Sequence, residues 1–183
     1  MSKILIVYGT KEGQTAKIAQ RIGDIAREQG KQVDVNNARE VPSNKSLKDY
    51  SAILVGSSIH AGHFNRSVLR FIRRYKSDLG SVPSGFFSVS LSDTMEAKNR
   101  AMMDHQLDKF YEKCGWHPKT VGRFAGSISY TKYGFFTRHM MKWMAQTQGN
   151  PTDTTRDHEF TDWNQVAEFA NAFVTRKGEQ PTS

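Results

Sequence analysis

Short, unbroken apolar runs alternate with apolar stripes of helical period along this chain. Lys3-Ile4-Leu5-Ile6-Val7-Tyr8 is continuous, as expected of a strand buried on both faces. Ile18, Ile22, Ile25 and Ala26 then recur at i, i+4, i+7 and i+8, which predicts a helix, and Gly30 stops it. Gln32 to Val35 reads as a second strand and Ala52-Ile53-Leu54-Val55-Gly56 as a third. Val68, Phe71, Ile72 and Tyr75 mark the next helix face, and Gly85 to Ser90 a fourth strand. Met103, Leu107, Phe110 and Cys114 form another stripe, ended by Gly115. Val121 to Gly126 predicts a fifth strand. A last helix is expected from about Asp162 to Thr175, with Thr161 as its N-cap and Trp163, Val166, Ala170 and Phe173 facing inward. These stripes read as core-packing faces.

Strands alternating with helices predict an α/β chain with a doubly wound five-stranded parallel sheet. Right-handed crossovers and the strand count favour the order 2-1-3-4-5, which puts a ligand beyond the carboxyl ends of strands one and three. Residues 1–183 are read as one domain. The exception to regular alternation is a long insert at about 130–160, before the last helix. Its ends must lie close together if strand five and the last helix occupy their expected places.

Composition narrows the picture only slightly. A hydrophobic fraction of 37% and a charged fraction of 24% are globular values. One cysteine, Cys114, precludes an internal disulfide and fits a reducing cytoplasm. The amino terminus has no signal-peptide pattern and no run is long enough to span a membrane, so any membrane contact is expected to be peripheral. The formal net charge of +8 attracts anions: nucleic acid, acidic lipid or carboxylated small molecules.

The chemistry sits after the first strand. Tyr8-Gly9 leads into Thr10-Lys11-Glu12-Gly13-Gln14-Thr15 and then a helix. The two threonines offer hydroxyls, Gly13 permits a tight turn, and the helix start presents N–H groups and positive potential to an anion such as phosphate. No G-x-x-x-x-G-K-[ST] and no G-x-G-x-x-G is present. Val7-Tyr8-Gly9 lacks the acidic residues of a response-regulator receiver, and Cys114 on a helix stripe argues against a cysteine phosphatase.

That loop resembles the FMN-phosphate loop of the flavodoxins. The resemblance implies a flavodoxin-like fold with FMN held by Thr10, Lys11, Glu12, Gly13, Gln14 and Thr15. Two further loops would hold the isoalloxazine ring. By position these are Ser57, Ser58, Ile59, His60, Gly62 and His63 after strand three, and Ser88, Val89, Ser90, Leu91 and Ser92 at strand four. Within this superfamily the chain is most similar to the menaquinone-dependent protoporphyrinogen IX dehydrogenases of haem biosynthesis. The similar stretches are Gly13-Gln14-Thr15, Ser58 to His63, Phe87-Ser88-Val89, Gly115-Trp116-His117-Pro118, Phe124-Ala125-Gly126, Thr152-Asp153-Thr154 and Phe160 to Trp163. The chain departs from that family at His60-Ala61 and at Asp93 to Lys98.

The resemblance implies an FMN-dependent oxidoreductase that oxidises protoporphyrinogen IX and passes electrons to menaquinone or another quinone at an anionic membrane surface, on the inner face of the cell membrane. It implies no metal and no nucleic-acid partner, and it allows a homo-oligomer. The alternative is a flavodoxin-type electron carrier or a general FMN quinone reductase. Carrier flavodoxins are usually acidic and stack aromatic rings on the flavin. This chain is basic, its ring loops hold no Trp or Tyr, and Phe64 is the aromatic residue beside them. His60 and His63 are candidates for proton transfer, or equally loop residues bonded to backbone. In the insert, Phe136, Met140, Trp143 and Met144 would share one helix face opposite Arg138, His139, Lys142 and Gln146. Such a helix suits a membrane interface, a cover for a bulky substrate, or the domain's own core.

Overall fold

In a computed structural model, described for residues 2–60, 62–91, 97–128 and 158–175, the parallel sheet forms as the apolar runs predict. The elements are β1 (Lys3–Gly9), α1 (Gln14–Glu28), β2 (Gln32–Asn37), β3 (Ala52–His60), β4 (His63–Phe64), α2 (Arg66–Arg74), α3 (Lys76–Ser81), β5 (Ser84–Ser90), α4 (Ala97–Cys114), β6 (Thr120–Ala125), β7 (Ser127–Ile128), β8 (His158–Glu159) and α5 (Trp163–Thr175). The main sheet runs β2-β1-β3-β5-β6, with every neighbour on that path parallel. In terms of the five long strands this is the expected 2-1-3-4-5 order. Two features add to it. β4 folds back antiparallel on β3, and β7 pairs with β8.

The continuous strands divide the core into two halves. Leu5, Val7, Ile53, Val55 and Phe86 face α2, α3 and α4, where they meet Val68, Phe71, Ile72, Leu79, Leu107 and Phe110. Ile4, Ile6, Leu54, Phe87 and Val89 face the other way, onto Ile18, Ile22 and Ile25 of α1 and Val166, Ala170 and Phe173 of α5. Burial on both faces explains why β1, β3 and β5 carry no polar alternation. The predicted helix stripes are core, including Cys114, whose thiol burial pushes up from its ordinary value.

Helix ends follow local chemistry. α1 closes with Gly30 at φ 76°, Gly30 N–H donating to Arg27 O and Lys31 N–H to Ala26 O, a Schellman arrangement. The start of α5 differs from expectation. Asp162, not Thr161, is the cap: its Oδ1 accepts from the N–H of Asn164 (2.9 Å) and of Gln165 (3.2 Å). Thr161 instead donates its hydroxyl to Ala125 O (2.8 Å). Trp163 is not inward either. It is 37% exposed, and its indole N–H donates to Glu159 Oε1. The β7–β8 pair, with Ser127 opposite Glu159, brings together the two ends of the chain flanking residues 129–157, as the insert reading requires. Phe136, Arg138, Met140, Lys142 and Trp143 lie outside the described residues, as does Ser92.

Gly56 carries a packing constraint that no turn explains. A Cβ there would fall 2.1 Å from Cζ of Phe87, so the phenyl ring crosses the sheet where β3 has no side chain. Gly56→Ala should therefore cost about 1–3 kcal/mol of stability by overpacking, read as a lowered urea midpoint. Adding Phe87→Leu should recover part of that loss.

Candidate functional site

The carboxyl ends of three adjacent strands form one row. Gly9 of β1 is in register with Ser57 of β3, and Ser57 with Ser88 of β5. The segments predicted to hold a cofactor lie at or just beyond this row, except Ser92, which lies outside the described residues.

The first loop is held as a tight turn by its own side chains. Thr10 Oγ1 accepts the Gly13 N–H at 2.8 Å, and Gly13 lies at φ 108°, a backbone region that favours glycine. No atom lies within 4 Å of a Cβ built there, so the demand for glycine is conformational and not steric. α1 starts at Gln14 with no side-chain cap and no acid in its first turn. Its leading N–H groups and positive dipole end thus face the loop without a protein counter-charge at the cap. Gln14 itself is buried and turned away, its Nε2 donating to Thr161 Oγ1 at 2.8 Å. Thr15 is buried, while Lys11 is exposed and Glu12 half-buried. Of this loop, then, backbone N–H groups, Thr10 and Lys11 are the parts that can face an anion.

The segments predicted as ring loops are mostly strand. Ser57, Ser58, Ile59 and His60 continue β3, and Ser88, Val89 and Ser90 finish β5, with Leu91 just beyond. The reason is register: β3 gains β4 as an antiparallel partner, with Ile59 opposite Phe64 and His60 opposite His63, so its backbone stays extended past the end of β1. Gly62, at φ 74°, makes the turn between them. His60 and His63 are therefore side by side on one face of a two-stranded tip, both exposed. Ser57 and Ser90 are buried, as is Ser88, whose Oγ has no hydrogen-bond partner.

His60 also touches the loop after β1: its Nδ1 lies 3.9 Å from Glu12 Oε1. Partial burial, and then the positive charge of Lys11, hold its pKa below the ordinary imidazole value. At neutral pH the ring is uncharged, and the Glu12 contact is polar rather than ionic.

Sequence reasoning missed Asn65, which ties these parts together. Its N–H donates to Ser57 Oγ (3.1 Å) and its Nδ2 to Thr10 O (3.5 Å). Its Oδ1 caps α2 by accepting from Ser67 N–H (3.0 Å) and Ser67 Oγ (2.6 Å). Gly9 permits this approach, since a Cβ at that position would fall 2.6 Å from Asn65 Cγ and 2.5 Å from Val68 Cγ2. The signal was present as an N-cap residue directly before the helix pattern. Phe64, next in the chain, is not a ring cover. It stacks on Phe110 with centroids 4.0 Å apart and planes 16° from parallel.

The arrangement fits the FMN that the sequence suggests. An uncapped helix start behind a glycine turn suits a phosphate, and an unpartnered buried hydroxyl with flanking strand ends suits the polar edge of a flavin.

The flavodoxin domain model matches residues 5–155 of the chain. The chain is 31% identical over 180 residues to a protein named protoporphyrinogen IX dehydrogenase [quinone] from Escherichia coli strain K12, spanning 98% of both chains. It is 34% identical over 173 residues to the protein of the same name from Leishmania major, covering 94% of this chain and 74% of that one. Among solved structures, oxidised Flavodoxin 1 from Bacillus cereus superposes with a TM-score of 0.57 at 16% identity, over 97% of this chain and 100% of that one. An apo NADH:FMN oxidoreductase superposes with a TM-score of 0.53 at 9% identity, over 99% and 92%. At these identities the two structures establish a common fold.

Two outcomes test the geometry. Asn65→Ala should lower stability by about 0.5–2 kcal/mol through loss of the cap and should weaken FMN retention. Asn65→Asp keeps the cap acceptor but loses the donor to Thr10 O. It should hold stability near wild type while still weakening flavin binding, as read by denaturation and by flavin content after dialysis. The second concerns pH. Because the folded pKa of His60 is depressed, the unfolded chain takes up that proton first. Stability should therefore fall as pH drops from about 7 to about 5. His60→Gln should flatten the urea midpoint across that window.

Proposed function

The chain belongs to the flavodoxin domain family and is an FMN-dependent oxidoreductase, and from that premise we propose that it oxidises protoporphyrinogen IX and delivers the electrons to a membrane quinone. The observation that carries this reading is the similarity to the Escherichia coli enzyme over 98% of both chains, insert included. Two physical features support it. The ring-side tip is left without an aromatic cover by the described residues of its loops, because Phe64 is committed to Phe110; a planar substrate could stack where a carrier flavodoxin places its own ring. The net charge of +8 favours a substrate bearing carboxylates.

The residues divide the work. The turn from Thr10 to Gly13 and the start of α1 would bind the phosphate of FMN. Backbone groups of Ser58 to His63 and the end of β5 from Ser88 to Leu91 would grip the ring. Bound FMN supplies two-electron redox chemistry; the protein supplies orientation and electrostatics. Porphyrinogen oxidation also releases protons. Uncharged His60, half-exposed beside Glu12, would accept one at its imidazole nitrogen, with His63 opposite it on the tip.

The test is an anaerobic assay of FMN-loaded protein with protoporphyrinogen IX and a menaquinone analogue. Porphyrin fluorescence should rise only when both flavin and quinone are present. A protein whose flavin is reduced by other donors but never by the porphyrinogen would instead be a carrier or a general quinone reductase.

A further inference from the structure

Helix α2 carries a charge pattern that its own stability does not call for. Arg66, Arg70, Arg73 and Arg74 fall at i, i+4, i+7 and i+8, a single face, and all four are exposed. The opposite face, with Val68, Phe71 and Ile72, is buried. Lys76, exposed at the start of α3, extends the row. No described residue forms an ion pair with any of these five cations, and α2 contains no acidic residue. The acids on the elements packed nearby are Asp78 in α3 and Asp104, Asp108 and Glu112 on α4, where Lys109 and Lys113 are interleaved with them. Local physics opposes the arrangement twice. Arg66 and Arg70, and Arg70 and Arg74, are like-charged i,i+4 pairs, and Arg66 sits at the positive end of the helix dipole. A fold selecting only for helix stability would place acids here.

We propose that this arginine face is a docking surface for the phosphate headgroups of an anionic bilayer. It rests on the reading that the electron acceptor is a membrane quinone, and it supplies what that reading lacks. Among the described residues no helix is long and apolar enough to cross a membrane, so the chain must reach a lipid-borne acceptor from the surface. The face holds four arginines and no lysine within α2. A planar guanidinium binds phosphate oxygens in a bidentate fork, whereas lysine offers only a point charge. One of the four is already set in place: Arg73 donates from Nε and Nη2 to Lys113 O, at 3.3 and 3.1 Å. The face also begins where the site ends. Asn65 caps α2 and holds Thr10 O, and Arg66 is the next residue, two beyond Phe64 of the hairpin tip. Headgroups gathered along α2 would therefore bring the bilayer surface up to the flavin-binding edge.

The test uses FMN-loaded protein, sedimented at low salt with vesicles of phosphatidylcholine alone or with added phosphatidylglycerol. Wild type should bind only the phosphatidylglycerol vesicles. Arg70→Glu/Arg74→Glu should lose at least about tenfold in partitioning, with unchanged flavin content and circular dichroism. Lys31→Glu/Lys48→Glu changes net charge equally at the opposite, amino-terminal end of the sheet and should bind like wild type. Equal loss by both variants would overturn the proposal, as would the absence of wild-type binding. So would equally tight, arginine-dependent binding to duplex DNA, which would make the face a general polyanion site. Turnover with a soluble quinone analogue separates the two readings. A wild type that binds vesicles through α2 yet never oxidises protoporphyrinogen IX would sink the proposed substrate and leave the membrane surface standing.

Discussion

The site depends on one residue making three kinds of contact at once. Asn65 closes the amino terminus of α2, holds the end of β3 through Ser57 Oγ, and reaches the carbonyl of Thr10 in the neighbouring loop. Parallel strands give no direct covalent link between their carboxyl ends; each connection leaves the site and returns from the far end of the sheet. Loops after β1 and β3 must therefore be fixed to each other by side chains. Asn65 does this from within a helix cap, so the residue that stabilises α2 also sets the distance between the two loops. The absence of a Cβ at Gly9 is the steric condition for it.

Three of the helices that begin at or near this edge have described starts, and they begin differently. α2 has Asn65 as its cap, and α5 has Asp162. α1 has neither a side-chain cap nor an early acid. The fold evidently has cap residues available and uses them where the helix start is structural. Leaving α1 without a side-chain cap forgoes the stabilisation that Asn65 and Asp162 give the other two helices. The same omission concentrates positive potential at the point where Gly13 lets a ligand approach the backbone. Gln14 is drawn away to Thr161 and so joins the loop after β1 to the start of α5 and the end of β6.

The sequence made the sheet legible because burial on both faces leaves an unambiguous mark: Ile4 to Val7, Ile53 to Val55 and Phe86 to Phe87 are all fully or almost fully buried. The helix stripes were legible for the same reason on one face. What was not legible depended on pairing across the chain. Ser57 to His60 look like a polar loop locally, yet extend as strand because His63 and Phe64 return to pair with them. Phe64 stands beside the predicted ring loops in the sequence, and only its stacking on Phe110, far along the chain, shows where it is committed. Thr161 and Asp162 are both good caps by composition, and only the demand of Ala125 O and Gln14 for a hydroxyl decides between them. Local chemistry proposes these roles and tertiary contacts assign them.

The residues that break local rules share one edge of the molecule. α1 lacks a cap, Gly13 sits at a φ that favours glycine, Ser88 buries a hydroxyl with no partner, and α2 repeats arginine along one face from its positive end. Elsewhere the rules hold among the described residues, apart from the buried Tyr111 hydroxyl, which has no described partner. α1 ends on a Schellman glycine, the Asp34 carboxylate is held below its ordinary range by Tyr50 and Lys3, and the apolar faces of β1, β3 and β5 are filled. A chain consistent across levels except in one region tolerates local cost there for a reason outside its own folding. At the carboxyl ends of β1, β3 and β5 that reason would be a flavin. Along α2 the same logic calls for a partner rich in phosphate, because an external anion would convert the repulsion among Arg66, Arg70 and Arg74, which have no described counter-charge, into binding energy.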